Sequence, residues 1–167
     1  SKWQDVLDTG AEKPSLSRFV EDIIQLNFAN SVFVDCSASK EVTTFYVILL
    51  NKSISIVTPN KIANTLSLDK YNELREIAKK KNAKFLYETN VGAGLPLVDT
   101  IKLLHHSGEN ITKIKGVFSG TLSYIFNHFS EEDKPFSEIL KEAMHKGFTE
   151  PDPRDDLSGN DVGRKLL

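Results

Sequence analysis

Three places along the chain combine residue types and spacings that can do chemistry. The most polar is the loop Gly147-Phe148-Thr149-Glu150-Pro151-Asp152-Pro153-Arg154-Asp155-Asp156-Leu157-Ser158-Gly159, which two prolines stiffen and which runs into Asp161 and Lys165. Asp161 and Lys165 stand four apart on an expected helix, so their side chains point the same way. Such a pair is ordinarily helix support worth about 0.3–0.5 kcal/mol. The carboxylates crowded just before it suit a polar ligand equally well. The second place is Thr58-Pro59-Asn60-Lys61, at the carboxyl end of an expected parallel strand, where open α/β sheets bind ligands. A lysine there can meet a substrate or cofactor, although a surface lysine after a turn has the same local sequence. Ser37-Ala38-Ser39 ends the preceding strand, so the two strand ends would wall one cofactor cleft. The third is Glu88-Thr89-Asn90-Val91-Gly92-Ala93-Gly94-Leu95-Pro96. Its glycines allow backbone shapes that bring carbonyl oxygens together beside one carboxylate, a set suited to a hard cation. A structural turn ahead of a helix reads the same way. It is not the dinucleotide fingerprint, which follows a first strand. His105-His106 has no further ligand at a metal-binding spacing and reads as a solvated helix end.

The elements that must position these residues follow from hydrophobic periodicity. Ser17–Leu26 sets Phe19, Val20, Ile23 and Ile24 along one side of a helix. Ser31–Asp35 reads as a strand, Glu41–Leu50 as a helix and Ile54–Thr58 as a second strand stopped by Pro59-Asn60. Strand, helix and strand in that order make a crossover unit with parallel strands. Asp69–Lys81 fits a charged helix whose Lys79-Lys80-Lys81 sits at the negative pole. Phe85–Tyr87 fits a strand, Pro96–His106 a helix, Ile111–Phe118 a strand, and Thr121–Phe129 and Phe136–Lys146 two more helices. The change from crossover units to a helix-rich segment puts the expected domain boundary between Leu66 and Tyr71, giving units 1–66 and 67–167.

Composition narrows the partners. Lysine and arginine total 21 against 23 acids, a formal charge of −2, so no strong basic field attracts nucleic acid or an anionic membrane. A small polar metabolite is the natural partner. The hydrophobic share of 40% suffices for a packed core. Cys36, the only cysteine, cannot form an internal disulfide, and no apolar run approaches the roughly 20 residues that cross a bilayer. The expected location is therefore a reducing compartment, the cytoplasm, or a plastid in a plant. The first residues lack a secretory layout, Met144 is the only methionine, and Asp161–Leu167 reads as a helix just beginning; both ends are expected to be cut.

The three places occur together, in this order, in homoserine dehydrogenases, and the chain resembles that family over essentially its whole length. The matching strings are Val57-Thr58-Pro59-Asn60-Lys61, Tyr87-Glu88-Thr89 with Val91-Gly92-Ala93-Gly94-Leu95-Pro96, the run from Gly116 to Asn127, and Gly147 to Lys165. Trp3-Gln4 and Val34-Asp35-Cys36-Ser37-Ala38-Ser39 look most like the form fused behind an aspartokinase.

The resemblance implies an α/β chain: the C-terminal part of a Rossmann-type nucleotide-binding domain, then an α+β catalytic and dimerisation domain, truncated at both ends. It implies NAD(P)-dependent interconversion of L-aspartate 4-semialdehyde and L-homoserine. Lys165 would donate the proton to the substrate oxygen, and Lys61 would stand where cofactor and substrate meet. Gly147, Glu150 and Asp161 would bind substrate, with the acids facing its amino group. Glu88 and the backbones of Val91, Ala93 and Leu95 would hold a sodium ion. Ser37 stands where the family often has threonine beside the cofactor, and either hydroxyl can hydrogen-bond. Ile62 replaces a common second lysine, and Gly163 replaces a common alanine at a cost of about 1 kcal/mol in the helix bearing Lys165. The family's phosphate loop is expected before Ser1, without which cofactor binding is weak. Expected partners are a second copy through the catalytic domain and an upstream aspartokinase. The competing reading is an inactive folding or dimerising module of the same family.

Overall fold

The computed structural model describes residues 15–150 and 152–167. Its first layer is a three-stranded parallel sheet in the order β1 (Val32–Val34), β2 (Ser55–Val57), β3 (Phe85–Leu86). Phe33 lies opposite Ile56, and Ile56 opposite Phe85. Alternation sends Phe33 and Ile56 into the core and leaves Val32, Val34, Val57 and Leu86 exposed on the other face.

The packed face is covered by α1 (Leu16–Leu26), α2 (Lys40–Thr43), α3 (Tyr46–Asn51) and α4 (Leu68–Lys80). Val20, Tyr46, Leu49, Leu50, Leu74 and Ala78 join the inner strand residues in one cluster. Burying each large apolar side chain there contributes about 1.5–3 kcal/mol. The serines just before α1, α2 and α4 cap them: Ser15, Ser39 and Ser67 accept backbone N–H groups of Arg18, Val42 and Lys70. Lys79 and Lys80 close α4 in solvent, at the negative end of its dipole.

Past β3 the chain is helical. A 3₁₀ turn (Glu88–Asn90) leads to α5 (Leu97–His106), and then α6 (Gly120–Glu131) packs on α7 (Phe136–His145) through Ile125, Ile139 and Ala143. Two short helices, α8 (Pro153–Leu157) and α9 (Asn160–Leu166), follow the polar loop.

Two expectations need correction. The helix expected over Glu41–Leu50 is two pieces, α2 and α3. Thr43 and Thr44 hydroxyls bond back to the carbonyls of Lys40 and Glu41, and the Thr44 and Phe45 amides reach only three residues back. The strand expected over Ile111–Phe118 is irregular: among the described residues no strand pairs with it, and alternation alone does not make a ladder. Just past the boundary expected between Leu66 and Tyr71, α4 and β3 join the α/β layer. α4 buries Leu74 and Ala78 in the sheet's core, and β3 pairs with β2. The many charges of α4 cover only its outer side.

Candidate functional site

The carboxyl ends of β1 and β2 are the first half of the site. The ladder closes with the Asp35 amide on the Val57 carbonyl and the Thr58 amide on the Leu86 carbonyl. Beyond that point side chains take over. The Thr58 hydroxyl accepts the Asn60 amide at 2.8 Å and Asn60 Oδ1 accepts the Ile62 amide at 3.1 Å, a pair of side-chain turns that delivers Lys61 to the 3₁₀ turn Ile62–Thr65. Asn90, with its amide turned to satisfy its neighbours, donates to the carbonyls of Thr58 (3.0 Å) and Pro59 (3.1 Å) and accepts from Asn64 (2.9 Å).

Asp35 is buried beneath this turn. Its Oδ1 accepts the Ser37 amide (2.7 Å) and hydroxyl (2.6 Å). Its Oδ2 accepts the Tyr46 hydroxyl (2.5 Å) and the Asn60 amide group (3.1 Å). Burial pushes the Asp35 carboxyl up, but the bonds from Ser37, Tyr46 and Asn60 outweigh it and hold it below the ordinary carboxylate range. Burial, and then the bond to Asp35, push the Tyr46 phenol far up, so it stays a donor.

The second half comes from the helical part. Gly147 ends α7 at φ 72°, a left-handed turn that a side chain would strain, and the Phe148 amide bonds back to Ala143. The Thr121 hydroxyl donates to the Phe148 carbonyl and pins this turn to α6. The Glu150 amide donates to Asp156 Oδ2 at 2.8 Å, which orients the loop bearing Glu150. On α9, Asp161 lies between two lysines: Oδ2 is 2.5 Å from Lys165 Nζ, and Oδ1 is 3.5 Å from Lys61 Nζ. Lys61 Nζ also lies 3.8 Å from Glu150 Oε1, and Lys165 Nζ donates to the Phe118 carbonyl at 2.8 Å. Gly120, Tyr124, Gly147, Glu150, Asp156 and Lys165 line part of a cavity of about 540 Å³, within the range of small-ligand sites.

The structure therefore brings Lys61, Gly147, Glu150, Asp161 and Lys165 together from three separated stretches. Ser37 stands at the neighbouring strand end, linked to the Lys61 turn through Asp35 and Asn60. The turn that follows β3 is different. Both oxygens of Glu88 accept amides of α5, from Val98 and Asp99 at 2.9 Å each. The Leu95 carbonyl accepts the Leu97 amide, and Gly92 and Ala93 have φ of 76° and 52°. Glu88 thus caps a helix that has no capping side chain of its own. Among the described residues no group of three or more His, Cys, Asp or Glu is placed to hold a metal. Trp3-Gln4 and Pro151 lie outside the described residues.

Sequence reasoning did not single out Asp35, Asn60, Asn90 or Asp156. Each is buried, and each acts through a partner remote in the chain or across a loop, a relation that spacing does not display.

Comparison with known proteins places these features. Residues 2–88 match the model of the "Homoserine dehydrogenase, NAD binding domain" family, and residues 96–167 match that of the "Homoserine dehydrogenase" family. The chain is 46% identical to the chloroplastic bifunctional aspartokinase/homoserine dehydrogenase 1 of Zea mays, over 100% of this chain and 18% of that one. It is 42% identical to the homoserine dehydrogenase of Schizosaccharomyces pombe, over 99% of this chain and 45% of that one. The chain thus spans less than half the length of these relatives. A hyperthermophilic archaeal homoserine dehydrogenase in complex with NADPH superposes with a TM-score of 0.75 at 32% identity, covering 95% of this chain and 47% of that one. No helix among the described residues is long and apolar enough to cross a membrane.

Proposed function

We propose, since this chain belongs to the homoserine dehydrogenase family, that it carries the substrate pocket and one wall of the cofactor cleft of an enzyme interconverting L-aspartate 4-semialdehyde and L-homoserine with NADPH or NADH. One observation carries this reading: Lys61 and Lys165, from distant stretches, both pair with Asp161, Lys61 also lies beside Glu150, and Glu150, Asp161 and Lys165 line a small cavity.

When bound, the nicotinamide supplies the hydride to the aldehyde carbon. The chain's own residues manage the charge that this step creates. Lys165, held between Asp161 and the Phe118 carbonyl, is aimed into the pocket and delivers a proton to the growing oxyanion. Lys61, on the strand-end turn, adds a second cation at the junction of the two halves. Glu150 and Asp161 hold the substrate ammonium, which selects the face of the aldehyde that is presented. Both acids also lie within ion-pair distance of Lys61, so a substrate ammonium competes with it for them. Ser37 offers a hydroxyl on the cofactor side.

Sodium enters this reading only as a brace. Glu88 and the carbonyls of Val91, Ala93 and Leu95 are hard oxygen donors carrying one formal charge, the class suited to a monovalent ion. In this structure both Glu88 oxygens and the Leu95 carbonyl already accept amides, so an ion would have to share them. The relatives fused to aspartokinase make an upstream kinase part of the proposal, as is self-association through the helical half. The test is NADPH oxidation by the full-length protein on aspartate semialdehyde. Steady turnover that disappears with succinate semialdehyde, which keeps the carboxylate and lacks the ammonium, supports the reading; no turnover overturns it.

A further inference from the structure

We propose that Asp35 is a positioning residue: its carboxylate locks the Ser37 hydroxyl at the end of β1 to the Lys61 turn at the end of β2, and so sets where the Lys61 ammonium stands over the pocket.

The parallel ladder stops at the carboxyl ends of β1 and β2. The last ladder bonds are those of the Asp35 and Thr58 amides, and beyond them side chains link the two strand ends. Loops leaving neighbouring strands are otherwise free to move apart. Here one carboxylate spans the gap. Its four donors come from the β1 end, from α3 and from the turn after β2, and all four are neutral. A buried carboxylate without a cation costs desolvation, and packing alone would be met better by an apolar side chain. What the carboxylate supplies is geometry, through charge-assisted bonds in four fixed directions.

The anchor of the arrangement is Tyr46. Its ring is wholly buried, edge-on to Phe85 at 5.8 Å, and its hydroxyl contacts both Asp35 and the Thr58 hydroxyl at 3.0 Å. The core thereby fixes Asp35, and Asp35 fixes what lies outside. Asn60 extends the link: the Nδ2 that bonds Asp35 also donates to the Ser39 carbonyl at 3.0 Å, so it joins the two strand ends twice. Lys61 is the next residue, and its ammonium sits 3.5 Å from Asp161 and 3.8 Å from Glu150. A small rotation of the turn would move that ammonium off both acids. Asparagine at position 35 cannot replace the acid, because whichever way its amide faces, N–H meets N–H or O–H donors on one side.

The inference rests on the proposed function for its kinetic consequence but not for its geometric one, and two measurements separate them. In the full-length protein, Asp35→Asn is compared with wild type and with Val20→Ala, a core change on α1 that lowers stability and touches none of these groups. The first measurement is acetylation of the Lys61 amine by acetic anhydride, read by mass spectrometry against the exposed Lys70. The second is kcat and KM for NADPH-dependent reduction. We expect Asp35→Asn to raise Lys61 labelling severalfold and to lower kcat about tenfold or more, with Val20→Ala at wild-type values in both. Tyr46→Phe, which removes only the anchor, shifts both in the same direction by less, and it carries the test if Asp35→Asn does not fold. Wild-type Lys61 labelling in the folded variants, or changes that merely follow melting temperature across all three, would overturn the assignment. A wild-type protein without turnover defeats the functional reading, and the labelling then decides this inference alone.

Discussion

Asp161 couples the two lysines of the pocket, and that coupling sets different outcomes for different substitutions. Lys165→Ala should lower kcat by about a hundredfold or more while KM for the semialdehyde stays within a few fold, because in the proposed function its interaction strengthens mainly as the oxyanion forms. A turnover within threefold of wild type would remove it from the proton path. Glu150→Gln should instead raise KM for homoserine and leave KM for the cofactor nearly unchanged, since in the proposed function the lost charge faces the ammonium. Equal effects on both would refute that placement. Beneath them, the Asp35–Tyr46 pair predicts a pH profile of stability. The depressed Asp35 carboxyl contributes stability that is present above the ordinary carboxylate value of about 3.9 and is lost as pH falls through its lower folded value. The raised Tyr46 phenol contributes stability that is complete below about pH 10 and is lost as pH climbs past the unfolded value. Tyr46→Phe should therefore flatten the alkaline arm of melting temperature against pH; an identical slope would show that Tyr46 does not govern it. The side chains that meet at the cavity, Lys61, Glu150, Asp161 and Lys165, were legible in the chain because each stands in a string that is polar where a core would be apolar. The residues beneath them were not: Asp35 reads as a strand end and Asp156 as one more loop acid until Ser37, Tyr46 and Glu150 are seen against them.

Capping explains why the elements begin where they do, and it gives Glu88 a role that requires no ion. α5 starts at Leu97 with Pro96 before it, so no side chain at the usual position serves its first amides. Glu88, nine residues upstream of Leu97, reaches the Val98 and Asp99 amides with both oxygens. Loss of such a cap costs about 1 kcal/mol. Glu88→Ala should lower the melting temperature in the chloride of a large organic cation, where only the cap is lost, and by more in sodium chloride, where the proposed brace is lost as well. Equal losses in the two salts would remove the brace, and a loss confined to sodium would remove the cap. Helices were readable from their periodicity to within a residue or two, as for the expected Asp69–Lys81 against Leu68–Lys80 and Thr121–Phe129 against Gly120–Glu131. The failures are physical too. Thr43-Thr44 in the middle of an apolar-periodic run tightens the helix instead of continuing it, and Ile111–Phe118 has strand alternation but no described strand beside it.

At the scale of the whole molecule, the sheet has one packed face and one bare one. Parallel sheets are ordinarily covered on both faces. Here Val32, Val34, Val57 and Leu86 are between 37% and 61% exposed, while Phe33 and Ile56 on the other face are at 6% or less. Adjacent residues of one strand should therefore respond in opposite ways. Ile56→Ala leaves a cavity among Leu49, Leu50 and Tyr46 and should cost about 2–5 kcal/mol. Val57→Thr exchanges an exposed methyl for a hydroxyl of similar shape and should stay within about 0.5 kcal/mol. The bare face should also show itself in solution, because a contiguous apolar surface of this kind binds hydrophobic dyes and draws chains together. The 167-residue chain should thus bind anilinonaphthalene sulfonate while folded, and its mass by light scattering should rise with concentration above the 18.7 kDa of one copy. Combining Val34→Thr with Val57→Thr should reduce both signals without altering the far-ultraviolet circular dichroism. If the double variant leaves dye binding and mass unchanged, the association arises elsewhere, and the exposed stripe of α5 at Ile101 and Leu104 is the next surface to change.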